Sequence, residues 1–129
     1  MATGFSATVA NALLNAVAKA TNYTAPTAFY LKLHVGDPGS AGTSNPAGHT
    51  TRAQVTFGTN ASGGAISNTA AVTWTNVTTA EDYTHWSAWD ASTSGNFLLS
   101  GTMTANAVQV GDSFEIPIGD LDLTLSTAA

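Results

Sequence analysis

In the run Phe29-Tyr30-Leu31-Lys32-Leu33-His34-Val35, apolar and polar side chains alternate. A period of two sends successive side chains to opposite faces of a strand. Phe29, Leu31, Leu33 and Val35 therefore form a buried face, and Tyr30, Lys32 and His34 the solvated one, as in a half-buried antiparallel strand. The pattern recurs downstream. Ala53, Val55 and Phe57 alternate with Arg52, Gln54 and Thr56, Val72 and Trp74 with Thr73 and Thr75, and Leu121, Leu123 and Leu125 with Asp122 and Thr124. Between Asp82 and Asp90 the large rings fall on both faces, Tyr83, His85 and Trp89 on one and Trp86 on the other. That predicts a central strand covered on both sides. Turn signals separate the runs: Ala61-Ser62-Gly63-Gly64, Ser94-Gly95-Asn96 ahead of Phe97-Leu98-Leu99, and Gly119-Asp120. Gly111-Asp112, between Ala107–Val110 and Phe114–Ile116, reads as a hairpin. Such closely spaced short strands predict an all-β fold, an antiparallel β-sandwich or a small barrel. We take the jelly-roll-like sandwich as the working architecture.

Upstream the period changes. Phe5, Val9, Leu13 and Val17 recur every fourth residue, with Ala10 and Leu14 beside them. This is one apolar stripe on an N-terminal α-helix, expected over residues 3–21 and capped by Thr3 or Ser6. Ala7, Ala12, Ala16 and Ala18 favour helix by propensity. The stripe needs a surface to pack on, either its own sheet or a neighbouring subunit. Thr21-Asn22 and Pro26 end the helix, and the sandwich is expected over residues 28–125 within a single domain, 1–129. Residues 36–51 carry Asp37-Pro38-Gly39 and Asn45-Pro46 and read as one long loop. A loop of that length in a compact domain is usually functional or disordered; in a structural protein its function would be that of a contact arm.

Charge narrows the function. Only 9% of residues are Asp, Glu, Lys or Arg, against about 25% in ordinary soluble domains. Thr, Ser, Asn and Ala supply a neutral polar exterior, which can meet other protein surfaces without burying charge. That favours life in an assembly; the plainer alternative is a Thr-rich soluble domain. The net charge is −5, with Lys19, Lys32 and Arg52 the only Lys and Arg residues. Phosphate binding needs clustered cations, so nucleic acid and anionic membrane surfaces are excluded as partners. The start lacks the basic segment of a signal peptide, and no apolar run is long enough to span a bilayer. The Asn-x-Ser/Thr triplets at Asn22, Asn60 and Asn76 reflect the abundance of Asn and Thr.

No chemistry is legible. Without cysteine there is no disulfide, thiolate metal site or cysteine nucleophile. His34, His49 and His85 lack a second ligand at metal spacing. His34 is expected on a polar strand face, His49 in the long loop and His85 among aromatics. Glu81 and Asp82 are adjacent and point to opposite faces, while Asp120 and Asp122 could share one, with too few further oxygens for calcium. No nucleophile elbow, phosphate loop or dinucleotide fingerprint occurs. We expect no enzyme, and assign no catalytic, cofactor-binding or metal-ligating residue. Trp74, Tyr83, Trp86 and Trp89 are read as core; exposed in one plane they would form a sugar-stacking platform.

Phe29 through Val35 continuing into Gly36-Asp37-Pro38-Gly39 is one of several ordered motifs. Ala88-Trp89-Asp90-Ala91 with Ser94-Gly95-Asn96-Phe97-Leu98 is another, and Gly111-Asp112 through Ile116-Pro117 to Gly119-Asp120-Leu121 a third. With the helix segment Asn11-Ala12-Leu13-Leu14-Asn15, they resemble a family of small virion structural proteins of tailed phages, particularly those infecting actinobacteria. Members are variously labelled head-decoration, minor tail or tail-fibre proteins. The resemblance covers nearly the whole chain and implies a virion structural protein with no active site. The preferred expectation is a capsid decoration or minor capsid protein on the virion surface, made in the host cytoplasm, trimeric, and bound to the major capsid protein. A ligand that binds only the assembled shell would stabilise it by mass action. The alternative is a minor tail or tail-fibre protein at the tail tip, bound to other tail proteins and able to present the aromatic cluster to a host glycan. A free carbohydrate-binding or hydrolytic domain is a third class. The candidate interaction residues are Phe5, Val9, Leu13 and Val17 on the helix, Asp37, Pro38, Asn45 and Pro46 in the loop, and Trp86.

Overall fold

The computed structural model describes residues 3–128. Among them one helix, α1 (Ala7–Lys19), precedes the strands β1 (Tyr30–His34), β2 (Ala53–Gln54), β3 (Ala65–Ser67), β4 (Val72–Trp74), β5 (Glu81–Trp89), β6 (Phe97–Val108), β7 (Phe114–Ile116) and β8 (Asp122–Thr124). The doubly aromatic segment is central, as its composition requires. β5 pairs antiparallel with β1 on one side and β6 on the other, and β2 joins the far edge of β1. Two further antiparallel ribbons, β4–β7 and β3–β8, complete the fold. The pairings nest: β5 with β6 innermost, then β4 with β7, then β3 with β8. This is the pairing of one long hairpin rolled upon itself, so the all-β sandwich with a single N-terminal helix is what the chain forms.

The β4–β7 ribbon closes over β5. The Phe114 ring lies 5.2 Å from Tyr83 and 5.7 Å from Trp74, measured between centroids. Leu31, Leu33, Val72, Val77, Trp86 and Ile116 fill the same cluster, and Leu123 on β8 packs against it. Each fully buried aliphatic side chain here is worth roughly 1.5–3 kcal/mol. Asn68 ties the last segment to the core. Its Nδ2 donates to the carbonyls of Ala70 (2.9 Å) and Pro117 (3.0 Å), and its Oδ1 accepts from the amides of Gly119 (3.1 Å) and Leu121 (3.0 Å). A buried amide with both donors and both lone pairs used adds direction without an unsatisfied group.

Several expectations are corrected. The helix begins at Ala7, with Ser6 as its cap, the Ser6 Oγ accepting from Val9 N at 3.2 Å. Residues 4–6 are extended along β6 instead: Ser6 N donates to Leu98 O and Ser100 N to Gly4 O, both at 2.8 Å. Phe5 therefore bridges Leu99 and is not part of the helical stripe. Gly111-Asp112 is a turn, but β6 and β7 do not pair with each other. Val77 inserts between them, donating to Asp112 O (3.0 Å) and accepting from Gly111 N (2.8 Å), which makes the turn a corner between layers. The run from Arg52 to Phe57 keeps only two residues in strand form, and β3 was not foreseen. On β1 the parity fails at its end: His34 is fully buried and Val35 exposed. The cause is the 36–51 loop, which folds back over the face that the alternation assigns to solvent.

Candidate interaction surface

The loop is anchored along its length. Val35 N donates to Asn45 O and Ala47 N to Leu33 O, each at 3.0 Å, so Pro46 sits beside His34 as a one-residue extension of the sheet. Asp37 Oδ1 accepts from Gly39 N (2.8 Å), and Asn45 Nδ2 donates to Asp37 O (3.0 Å). The Glu81 carboxylate receives the amides of Gly48 (2.9 Å) and His49 (3.2 Å). Gly42 lies under the Phe97 ring with no room for a side chain. Of the loop residues singled out, Pro38 is buried and Asp37 half-buried, whereas Asn45 and Pro46 are exposed. Pro38 is thus structural, and the outward surface belongs to its neighbours.

Helix α1 divides into two parts. Val9 is buried and Leu13 half-buried against the sheet. Beyond them Leu14 is 66% and Val17 87% exposed, and residues 20–27 run along the surface back towards β1. The expected stripe is therefore used by the fold at one end and open at the other. Between α1, this return segment, the loop tip at Ser40-Ala41 and the start of β6 lies a groove of about 820 Å³. Val9 and the loop tip share it, so the fold brings the helix and the loop together; Trp86 belongs to neither.

The groove is almost neutral. Asp90 is the charged side chain in its wall, and its carboxylate already accepts from Asn96 N (2.7 Å) and Asn96 Nδ2 (2.8 Å). Those two bonds, with Arg52 nearby, hold its carboxyl below the usual carboxylate range. Arg52 Nη1 donates to Ala91 O (2.8 Å) and Ser94 O (2.7 Å), and its guanidinium stacks 4.3 Å above the Trp89 ring. Arg52 thereby pins the β5–β6 turn, a role with no local signal in the sequence.

Trp74, Tyr83, Trp86 and Trp89 are all buried. Trp74 Nε1 donates to Thr51 O at 3.0 Å and Trp89 Nε1 to Ser87 Oγ at 2.8 Å. The sugar-stacking face weighed for these four rings is not formed, and Trp86, at 5% exposure, is corrected from a contact residue to a core residue. Trp86 lies across the sheet from Gly101 and covers it.

One arrangement has the look of chemistry. Ser87 Oγ is 2.7 Å from His34 Nε2, and His34 Nδ1 is 2.8 Å from Ser44 O. A serine–histidine pair of this kind activates a nucleophile when a substrate can reach the hydroxyl. Ser87 and His34 are both fully buried, and Ser87 Oγ also accepts from Trp89, so the pair works as an internal hydrogen-bond chain. Asp122 accepts from Ser67 Oγ on β3. Among the described residues no group of three or more His, Cys, Asp or Glu side chains could hold a metal ion, and no helix is long and apolar enough to cross a membrane.

Compared with known families, residues 4–124 match the one described as Podophage GP4 fiber I protein gp80. No curated protein matches the chain.

Proposed function

We propose a place in the virion fiber for this chain, which belongs to the family of the podophage GP4 fiber I protein gp80. It is a structural protein of a phage virion, as the resemblance implies. The family match over residues 4–124 carries the proposal, because that family is described as one of fiber proteins. It favours the tail position over the capsid surface. An actinobacterial host is a narrower part of the same proposal, supported only by the order of the Gly-Asp motifs.

The contacts that a fiber subunit needs would be made by surfaces, without catalysis. The outward half of α1, with Leu14 and Val17, and the loop around Asn45 and Pro46 offer uncharged surface to other virion proteins or to further copies of this chain, a trimer being the assembly we favour. Burial of the Ser87–His34 pair supports a non-enzymatic role. Copy number in purified virions, measured by quantitative mass spectrometry against the major capsid protein, tests the placement. A few to a few dozen copies per particle fits a fiber. Close to one copy per capsid subunit would overturn it in favour of capsid decoration.

A further inference from the structure

The buried chain around His34 has one consistent set of hydrogen positions. Ser44 O can only accept, so His34 Nδ1 carries the proton, and in the neutral ring Nε2 accepts from Ser87 Oγ. Ser87 Oγ in turn accepts from Trp89 Nε1. A second proton on His34 breaks this order. Nε2–H would face an oxygen that already receives the indole, and the Ser87 hydroxyl would lose its acceptor. The positive ring would also be fully buried. The charges acting on it come from Lys32 on β1 and from His85, its register partner on β5, and both oppose a cation. No carboxylate bonds the imidazole: Glu81 is engaged at Gly48 and His49, Asp37 at Gly39, and His49 lies beside Thr78.

What the ring holds down is the loop. His34 bonds Ser44, and the backbone bonds of Val35 and Ala47 flank that point. Re-solvating a protonated His34 requires that cover to lift, whereas the opposite side of the ring is closed by β5. We propose that the 36–51 loop is an acid-released arm, clasped over β1 while His34 is neutral and freed when His34 takes a second proton. Burial holds the His34 pKa below its usual 6.5 in the clasped form, against a smaller opposite pull from Ser44. In the freed form the ring is solvated and titrates normally, so opening takes up one proton below about pH 6.5. The opening constant then rises by about tenfold per pH unit until the clasped form itself titrates. The device does not depend on where in the virion the chain sits.

Amide hydrogen exchange between pH 7.5 and 5.0, corrected for intrinsic rates, reads the opening directly, and NMR of the histidine ring carbons follows His34 in the same protein. The expected result is loss of protection confined to 36–51, with a slope near one decade per pH unit that tracks the His34 titration. In His34→Gln the loop should open to the same extent at every pH, and in Glu81→Gln it should loosen throughout yet keep the wild-type slope. A loop that stays protected while His34 titrates overturns the proposal. So does protection lost simultaneously across β5 and β6, or a loop that opens while His34 remains neutral. Should His34→Gln fail to fold, the wild-type titration alone decides.

Discussion

Replacing Gly101 with alanine sets two effects against each other. Gly101 has no left-handed backbone, so alanine meets no conformational penalty. The less flexible unfolded chain alone would stabilise the variant by about 0.4–1 kcal/mol. The added methyl, however, would sit 2.6 Å from Trp86 Cε2 and 3.0 Å from its Nε1, where carbon contacts normally begin near 3.5 Å. The indole must move by about 1 Å to restore that spacing. Trp86 is 5% exposed, and its way out is the groove between β6 and residues 115–117, where buried area would be lost. Overpacking of this kind costs about 1–3 kcal/mol, and a ring yields less readily than a flexible side chain. The steric effect wins, leaving a net destabilisation of about 2 kcal/mol. With an unfolding entropy of about 2.1 cal/mol/K per residue, the Tm falls by about 7 °C. Thermal and denaturant unfolding followed by tryptophan emission measures it. Trp86→Phe in the alanine background should recover part of the loss, giving a coupling of about 1 kcal/mol or more. A Gly101→Ala variant at or above the wild-type Tm, or strict additivity with Trp86→Phe, would refute the reasoning.

Tyr83→Phe should raise stability by about 1 kcal/mol in urea unfolding, because the Tyr83 hydroxyl is buried with no partner and the variant removes an uncompensated desolvation cost. Burial also raises the Tyr83 pKa above the usual 10.0. The unfolded chain therefore ionises first and stability falls as pH rises past 10, a limb that should flatten in the same variant. Asn68→Ala should cost about 3 kcal/mol, since four hydrogen bonds are lost and two backbone groups, Ala70 O and Leu121 N, are left without a partner, while Gly119 N and Pro117 O keep a backbone bond; an unchanged denaturation midpoint would contradict the role assigned to this amide. Stability should decline in two acid steps. His34, whose folded pKa is depressed, begins to destabilise as pH falls below about 6.5, because the unfolded chain binds the proton first. Asp90, also depressed, contributes above about 3.8 and is lost below it. His34→Gln should remove the first step and leave the second.

The sequence carried the strands better than their partners. Rings on both faces between Asp82 and Asp90 can only be satisfied by cover on both sides, so the central strand was legible. At His34 and Val35 the alternation pointed the wrong way, because parity along one strand cannot register a loop that returns to cover it. Gly111-Asp112 announced a reversal of direction, but a turn does not say whether the next strand stays in the same sheet; that depended on Val77, far upstream. Phe5 kept the phase of the helical stripe by coincidence, the cap at Ser6 placing it outside the helix. Of the candidate contacts, Val17, Asn45 and Pro46 face outward, while Pro38 and Trp86 are claimed by the interior. Asn68 and Glu81 gave no signal at all: one looks like a turn residue, the other like one of two adjacent acids, and each acts on segments distant in the chain.

Nesting of the strand pairs also imposes an order of assembly. The β5–β6 pair closes over the short turn at Asp90–Asn96, so it carries the least loop-closure entropy. The β4–β7 ribbon can register only once that hairpin has brought its flanks together, and β3–β8 only after β4–β7. Folding should therefore run from the middle of the chain outwards, finishing with a ribbon whose strands lie far apart in sequence. Such long-range closure is slow, on the order of milliseconds to seconds for β topologies. In pulse-labelled refolding we expect the amides of β5 and β6 to be protected first and those of Ala65–Ser67 last. A nascent chain that has emerged only as far as β5 would still lack the partner for every one of these pairings.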